Sequence, residues 1–380
     1  MSKRPSVALL VETSNAYARG VLEGIMAYVR ERQHWSIYLP EQRRGDTPPA
    51  WLAKWKGDGI IARIENDETA RIITQTGLPV IDVSAARQLA SVPWVETDDA
   101  VIAKLAAGHL LERGFNNLAY CGDARFNWSR WRCEGFCEEL ARHGKQCTIY
   151  PASETSLPWD EEVERLCDWL KGLPRPVGIF ACYDIRAQQL LDACRELSIA
   201  VPEEIAVLGV DNDRLLCELC TPPLSSIIPD TFRTGYLAAE LLDHRLQGKE
   251  VPAAGRFIPP LGIATRESTD ILAIDDPMVA RALRFIRENA CTGINVADVV
   301  KAVNVSRRVI ESRFEKAIGR SPHSEITRLK IQRAQELLRT TDLTLAKIAQ
   351  RCGFAHVEYF SACFKQHMQE SPRSYRQRPA

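Results

Sequence analysis

The sequence lacks any apolar run long enough to cross a bilayer. A membrane-spanning helix needs about 20 consecutive apolar residues, and no stretch of this chain approaches that length. The run Val7 to Val11, which follows Lys3 and Arg4, is also too short for the core of a signal peptide. We therefore expect a protein of the cytoplasm that has no membrane partner.

The 12 cysteines lack the pattern of a disulfide framework. They are scattered through a chain of 380 residues, whereas such frameworks are typical of small secreted chains. Cys217 and Cys220 have the spacing of half a metal site, but no second pair of cysteines or histidines accompanies them. We expect packed, reduced thiols, and we expect neither a metal nor a cofactor.

Catalytic constellations are missing as well. We find no nucleophile with its base and no paired carboxylates of the kind that an enzyme acting on a sugar would need. The seven histidines are dispersed along the chain. These absences favour a binding protein over an enzyme.

Net charge is absent overall, because 49 Lys and Arg balance 49 Asp and Glu. The balance conceals a division near Asp275. Residues 1–274 carry 30 basic and 38 acidic side chains, a net charge of −8, whereas residues 275–380 carry 19 and 11, a net charge of +8. A solvated basic face would explain the tail equally well, but an acidic body with a basic tail also suits a protein that contacts a polyanion.

The body alternates short apolar runs with stretches of helical periodicity. Strict alternation of this kind predicts an α/β fold with parallel sheets covered on both faces, and the number of repeats favours two lobes. The six predicted strands are Val7–Val11, Gly59–Ile61, Pro79–Val83, Leu118–Cys121, Gly178–Ala181 and Ile205–Val210.

Polar and aromatic residues follow these strands, at the edge where α/β sheets bind ligands. Carboxylates and amides accept and donate hydrogen bonds to hydroxyls, an arginine supplies a planar fork, and tryptophan covers the C–H face of a sugar ring. The combination predicts a site for a polyhydroxylated ligand. The candidates from these positions are Tyr17, Arg19, Asp82, Asp98, Trp128, Arg130, Arg132, Asp184, Arg186, Asp211 and Asn212.

Motifs along nearly the whole body resemble the sensor domain of the lactose-repressor family, which has the fold of periplasmic binding proteins. The resemblance implies that Arg132 and Asp211 hold a sugar or a purine. A helix-start role for Arg132 and a turn role for Asp211 are the structural alternatives. The matching motifs are Gly57-Asp58-Gly59-Ile60-Ile61, Thr97-Asp98-Asp99, Arg132 with Gly135-Phe136, Gly209-Val210-Asp211-Asn212 and Arg266-Glu267-Ser268-Thr269.

The tail contains an internal repeat. Phe314-Glu315-Lys316 followed by Ser321-Pro322 returns fifty residues later as Phe364-Lys365-Gln366 followed by Ser371-Pro372. The segments upstream correspond at an offset of 49, so the turn of the second copy is one residue longer. We predict two helix-turn-helix units joined by one long helix, Pro322 to Arg339. The lactose-type repressors carry their helix-turn-helix at the N-terminus instead, so here we expect DNA binding at this tail.

The tail resembles the arabinose-regulator family over its full length, including Gly319-x-Ser321-Pro322 and Ile348-Ala349-x-x-Cys352-Gly353-Phe354. The resemblance implies that Ser306–Ile318 and Val357–Met368 enter successive major grooves of double-stranded DNA. For any single arginine, a phosphate contact or a solvated side chain is as plausible as a base contact. The candidates are Ser306, Arg307, Arg308, Ser312 and Arg313 in the first helix, and His356, Val357, Glu358, Ser361 and Lys365 in the second.

The second copy departs from this family at Ala362, where arginine is frequent, and at Gln369, where glycine is frequent. We therefore expect base recognition to depend more on the first copy.

A lactose-type sensor ahead of an arabinose-type tail resembles the xylose-responsive regulators, to which Tyr17, Arg130, Glu134 and the pair Asp184 and Arg186 also correspond. The resemblance adds Glu134 to the ligand candidates. It implies a sensor over residues 1–270, a DNA-binding domain over 271–380, xylose or a related sugar as the ligand, a homodimer, and recruitment of RNA polymerase. A repressor, or a regulator of another sugar or of none, stays open.

Overall fold

The computed structural model describes residues 4–32, 35–42, 46–155, 157–270 and 276–376. The chain divides into two compact units, residues 1–271 and 272–380. The predicted boundary after residue 270 adjoins residues 271–275, which lie outside the described residues.

The first unit contains two α/β lobes, each built on a six-stranded sheet. All strand pairs are parallel except β10 with β12. In spatial order the first sheet is β11 (Gly255–Ile258), β5 (Trp94–Thr97), β4 (Val80–Asp82), β3 (Gly59–Ala62), β1 (Ser6–Leu10) and β2 (Ser36–Tyr38), and the second is β12 (Gly262–Ala264), β10 (Ser225–Ile228), β9 (Ile205–Val210), β8 (Val177–Ala181), β6 (Asn117–Cys121) and β7 (Cys147–Ile149).

Helices cover these sheets and bury their apolar faces against them. The first lobe has α1 (Ala16–Glu31), α2 (Asp67–Thr76) and α8 (Thr231–Leu246), and the second has α3 (Asp99–Glu112), α4 (Asn127–Arg142), α5 (Trp159–Lys171), α6 (Asp184–Glu196) and α7 (Arg214–Leu219). Short 3-10 turns lie at Leu52–Lys54 and Glu267–Thr269. The α/β fold of two parallel-sheet lobes predicted from the sequence is confirmed.

Two glycines allow α1 and α8 to approach closely in the first lobe. A Cβ atom on Gly24 would lie 2.0 Å from the carbonyl oxygen of Phe232, and one on Gly235 would lie 1.9 Å from that of Val21. Because real Cβ atoms do not come this near to backbone, only glycine permits this contact. The helices bury Val21, Ile25 and Leu242 against the sheet.

The chain crosses between the lobes three times, after β5, after β10 and after β11. These crossings bring the carboxyl ends of strands from both sheets toward one cleft, the position at which parallel sheets bind ligands.

The second unit is helical in its described part. Its helices are α9 (Pro277–Asn289), α10 (Val296–Val303), α11 (Arg307–Ile318), α12 (Pro322–Thr340), α13 (Leu345–Arg351), α14 (Val357–Met368) and α15 (Pro372–Arg376), with a 3-10 turn at Ala290–Thr292. The pairs α10–α11 and α13–α14 are the two helix-turn-helix units, and α12 is the predicted joining helix.

The two copies share their core positions and differ in their turns. Phe314 and Phe364, fifty residues apart, are both fully buried. One residue separates Asn304, which has φ 54°, from the N-cap Ser306, whereas two separate Gly353, which has φ 71°, from the N-cap His356. The second turn is therefore one residue longer, as predicted.

Candidate functional site

A cavity of about 380 Å³ lies between the two lobes of the first unit. Clefts at this position in two-lobed α/β proteins are typical of small-molecule sites. Side chains of both lobes line it at the carboxyl ends of their strands. Its lining residues are Tyr17, Arg63, Val83, Ala85 and Thr97 from the first lobe and Asp99, Trp128, Arg132 and Asp211 from the second.

Arg132 forms the centre of the second lobe's wall. Its Nε donates to Oδ1 of Asp99 at 2.7 Å and a terminal nitrogen donates to the carbonyl oxygen of Cys182 at 2.6 Å. The guanidinium carbon lies 4.9 Å from the ring centroid of Trp128. Burial raises the pKa of the Asp99 carboxyl, and the charge of Arg132 opposes that rise. The contacts hold a planar cation beside a flat indole, in a fixed orientation.

Tyr17 and Arg63 form the facing wall in the first lobe. The Tyr17 hydroxyl hydrogen-bonds Oγ1 of Thr97 at 3.0 Å, and the guanidinium of Arg63 lies 5.3 Å from the Tyr17 ring centroid. Arg63 forms ion pairs with Glu12, at 3.0 Å, and with Glu65. Burial acts to lower the pKa of Arg63, but these two carboxylates raise it above its usual value. Within the described residues, its buried Nε has no hydrogen-bond partner.

Asp211 enters the cavity from a strained turn after β9. Its φ is 107° and that of Asn212 is 47°, values that residues other than glycine rarely adopt. Strain of this kind is concentrated at ligand sites, where the surroundings hold the backbone. The brace here is Asp184, a buried carboxylate that accepts from the backbone N–H of Asp213 at 2.8 Å and from Ser226 Oγ at 2.6 Å. Burial, with the nearby charge of Asp211, raises the pKa of Asp184.

Four of the sequence-predicted ligand residues, Tyr17, Trp128, Arg132 and Asp211, therefore line this cavity. Asp184 and Asn212 are not among the lining residues, and the Oδ1 of Asn212 accepts from Arg266 at 2.9 Å.

The remaining candidates in the first lobe and the hinge have other contacts. Asp82 is buried and its Oδ1 accepts from the backbone N–H groups of Ile64 and Ser84, at 3.3 and 2.8 Å. Burial raises its pKa to about 7. Asp98 is the N-cap of α3. Arg19 reaches Asp213 of the other lobe at 3.9 Å.

Three ligand candidates of the second lobe, Arg130, Glu134 and Arg186, are also not among the residues that line the cavity between the lobes. Arg130 is exposed and donates to Asn127 Oδ1, and Glu134 is exposed on α4. Arg186 is buried, pairs with Glu162 and lies 3.8 Å from Asp123. It lines a different cavity of about 520 Å³ within this lobe.

The sequence interpretation missed Arg63, Thr97 and Asp99 as lining residues. Arg63 directly follows β3, so the rule that places ligand residues after strands was sufficient to find it. Thr97 and Asp99 stand in a quoted family motif, but only Asp98 between them was selected from it.

The DNA-binding candidates of the second unit lie mainly on exposed faces. In the first recognition helix, α11, Arg308 and Ser312 are exposed, Arg307 pairs with Glu311 at 2.8 Å and Arg313 with Asp276 at 3.1 Å. Ser306 is the N-cap of α11, and its Oγ accepts from the backbone N–H of Val309 at 3.4 Å.

The second recognition helix, α14, presents fewer charged groups. His356, Glu358 and Lys365 are exposed. Val357 packs partly against the core of its unit. Ser361 donates to the carbonyl oxygen of Val357 at 2.8 Å.

Two further features bear on the class of protein. No group of three or more metal-ligating side chains occurs among the residues that the structure describes. Within the same residues, no helix is long and apolar enough to span a membrane.

Three family models match this chain. They are a XylR N-terminal domain over residues 6–100, a periplasmic binding protein-like domain over residues 107–269 and a helix-turn-helix domain over residues 299–378. The first two fall in the first unit and the third in the second.

Relatives match end to end. The xylose operon regulatory protein of Escherichia coli K12 is 34% identical over 384 residues, covering 99% of this chain and 97% of that protein. That of Haemophilus influenzae is also 34% identical, with 97% of both covered. A solved structure of the xylose-binding transcription activator XylR superposes with a TM-score of 0.86 at 33% identity, covering 99% of this chain and 98% of that one.

Proposed function

The chain belongs to the family of xylose operon regulatory proteins, and on that premise we propose that it is a xylose-responsive transcriptional activator that binds operator DNA. The observation that carries the proposal is the cavity between the lobes, where Arg132, Trp128 and Asp211 face Tyr17 and Arg63, in a chain with two helix-turn-helix units. We assign residues 1–270 to sugar sensing and residues 271–380 to DNA binding. Binding to chromosomal DNA implies that the protein acts in the cytoplasm.

Each wall of the cavity has a distinct role in this proposal. The indole of Trp128 covers the C–H face of the sugar ring, and Asp211 accepts hydrogen bonds from ring hydroxyls. Arg132, already fixed by Asp99, directs its remaining N–H groups to sugar oxygens. The buried Nε of Arg63 offers a further donor. A site that already holds its donors in place loses little entropy on binding.

The sugar contacts residues of both lobes, so it favours the closed arrangement of the cleft. A ligand shifts such an equilibrium only by its differential affinity, and a change from mostly inactive to mostly active needs about 5.5 kcal/mol. We propose that closure changes the pairing of two sensors in a homodimer, which then presents its recognition helices to repeated half-sites and recruits RNA polymerase.

A thermal-shift screen against pentoses, hexoses and their phosphates tests the ligand. At 100 times its dissociation constant, xylose should stabilise the folded protein by about 2.7 kcal/mol. The shift should be lost in Arg132→Ala and Asp211→Ala and kept in Arg142→Ala, a control on the exposed face of α4. A selective shift with another sugar would keep the site and change the ligand, and no shift with any sugar would contradict the proposal.

A further inference from the structure

Arg87 lies among three aromatic rings beside the cavity. Its guanidinium carbon is 4.1 Å from the ring centroid of Trp131, 4.5 Å from that of Trp94 and 5.2 Å from that of Phe257. Its Nε also donates to Oε1 of Glu96 at 3.1 Å, and Glu96 is buried. Arg87 is thus held by one carboxylate and stacked by flat rings, the geometry for which arginine is suited and lysine is not.

The contact joins the two lobes. Arg87 lies in the loop after β4 of the first lobe, and Trp94 on β5 and Phe257 on β11 belong to the same lobe. Trp131, in contrast, lies on α4 of the second lobe. A second contact runs alongside, because Asn127 at the start of α4 donates from Nδ2 to the carbonyl oxygen of Ala86 at 3.2 Å. We call these two contacts, Arg87 with Trp131 and Ala86 with Asn127, the Arg87 clasp.

The backbone at Arg87 is strained, with φ 51°. A residue with a side chain adopts this conformation only when its surroundings hold it there. Arg130 contributes to these surroundings indirectly, since it donates to Oδ1 of the same Asn127 that bonds Ala86. The exposed Arg130, selected from the sequence as a sugar ligand, thereby supports the clasp.

The two segments joined by the clasp also line the cavity. The loop after β4 supplies Val83 and Ala85, and α4 supplies Trp128 and Arg132. Resting on the proposed function, we propose that Arg87 is a positioning residue for sugar binding: without touching the sugar, it holds the two lobes in the arrangement in which both reach the ligand.

An ion pair also connects the two lobes, and its geometry makes it weaker than the Arg87 clasp. Arg19 and Asp213 are 3.9 Å apart, with side chains 48% and 24% exposed, and exposed pairs of this kind contribute little. A stacked guanidinium contributes about 0.5–2 kcal/mol. Because apparent affinity is the intrinsic affinity multiplied by the fraction of binding-competent protein, loss of the clasp should weaken sugar binding by about twofold to thirtyfold.

Two variants separate the clasp from the stability of the first lobe. Trp131→Leu removes the partner in the second lobe and leaves Arg87 paired with Glu96. Arg87→Lys keeps the charge opposite Glu96 and removes the planar fork. Arg142→Ala, on the exposed face of α4, is the control and should bind as the unaltered chain does.

Calorimetric titration with D-xylose and its singly deoxygenated analogues is the first readout. Closure involves no particular hydroxyl, so both variants should weaken the binding of every analogue by the same factor. A direct contact would instead leave one analogue unaffected, namely the one that lacks the contacted hydroxyl. That pattern, or undiminished affinity in both variants, would overturn the proposal.

Hydrogen exchange of the intact, sugar-free chain is the second readout, and it does not require xylose to be the ligand. Trp131→Leu should speed amide exchange in residues 84–92 of the opposite lobe as well as at the start of α4. Faster exchange confined to α4 would show that no clasp holds the lobes. If D-xylose fails to bind the unaltered chain while the exchange crosses the lobes, the ligand assignment fails and the clasp stands.

Discussion

Gln369 occupies a backbone conformation that favours glycine. It caps the C-terminus of α14 with φ 58°, whereas the equivalent residue after α11 is Gly319, with φ 65°. A side chain in the left-handed region costs about 1 kcal/mol or more. This residue is one of the two positions at which the second copy departs from the arabinose-regulator pattern.

We predict that Gln369→Gly stabilises the second helix-turn-helix unit by about 1 kcal/mol, because glycine removes this strain. Urea denaturation of the whole chain, followed by the ellipticity of its helices, measures the change. Gly319→Ala is the matched control and should destabilise by a similar amount. A fall in stability in Gln369→Gly would contradict the explanation.

Asp82 illustrates a buried carboxylate whose stability contribution depends on pH. Burial raises its pKa from 3.8 to about 7 in the folded chain. The folded state therefore binds the proton more tightly than the unfolded state does. Stability from this group is fully present below pH 4 and is lost as the pH rises toward 7.

Asp82→Asn should remove that pH dependence, because the amide oxygen can still accept from the backbone N–H groups of Ile64 and Ser84. The substitution should therefore raise the free energy of unfolding by about 4 kcal/mol more at pH 8 than at pH 4. Denaturant titrations at both pH values measure the difference. Equal effects of the substitution at the two values would show that Asp82 does not titrate in this range.

At the scale of the element, the two recognition helices are equal in length and unequal in chemistry. Both run for 12 residues, but α11 presents Arg308 on its exposed face, whereas α14 begins after an exposed His356 and carries Ala362. Arginine can bond a guanine through two N–H groups, and a good pair of this kind discriminates by about 1–3 kcal/mol.

Arg308→Ala should therefore weaken operator binding by about tenfold, and His356→Ala should weaken it less. Fluorescence anisotropy at fixed salt concentration measures both losses, since phosphate contacts make affinity depend strongly on salt. Arg142→Ala, on the exposed face of α4, is the control for removal of a positive charge. An equal or larger loss from His356→Ala would count against the dominance of α11.

The elements that the sequence predicted are those whose own residues form a continuous apolar run or a periodic apolar stripe. β1 and β9 are continuous apolar runs rich in branched side chains, and the stripe of Leu329, Ala334 and Leu338 identified α12. Six strands were predicted, and the other six, β2, β5, β7, β10, β11 and β12, were not, because their pairing depends on distant neighbours. β2 is exposed at every residue, and β12 exists only through its antiparallel pairing with β10.

The position of the candidate cavity was predicted from the sequence, but only some of its lining residues were. The rule that ligand residues follow strands located Asp211 and Asp82 equally well. Whether such a side chain faces the cleft or its own backbone depends on the local turn. The strained turn directs Asp211 to the cavity, whereas Asp82 bonds two N–H groups of its own lobe. The inter-lobe clasp at Arg87 leaves no pattern in the sequence, since its partner is 44 residues away on another lobe.

At the scale of the whole molecule, zero net charge conceals two parts of opposite charge. Residues 275–380 carry a net charge of +8, and the recognition helices lie among them, while residues 1–274 carry −8. Basic charge in the second unit favours DNA through release of its counterions. Acidic charge in the first unit is compatible with a neutral sugar, whose recognition depends on hydrogen bonds and not on net charge.

The dimer that we propose predicts how sugar should act on DNA binding. Xylose should strengthen binding to DNA with two half-sites, because a dimer that engages both gains about 100-fold or more from effective concentration. Binding to a single half-site should hardly respond, since the proposed sugar site is lined by residues of the first unit and the recognition helices belong to the second. Inserting about 5 base pairs between the half-sites rotates one of them by half a turn and should abolish the gain, whereas inserting about 10 keeps both on one face.

Anisotropy titrations on these DNAs, with and without D-xylose, measure the gain, and sedimentation under the same conditions reports whether two chains occupy the DNA. The single half-site serves as the internal control, because it contains every base contact of one chain. If xylose strengthened binding to one half-site as much as to two, the sugar would act within a single chain on its own DNA-binding unit. Sensor pairing would then have no part in the response.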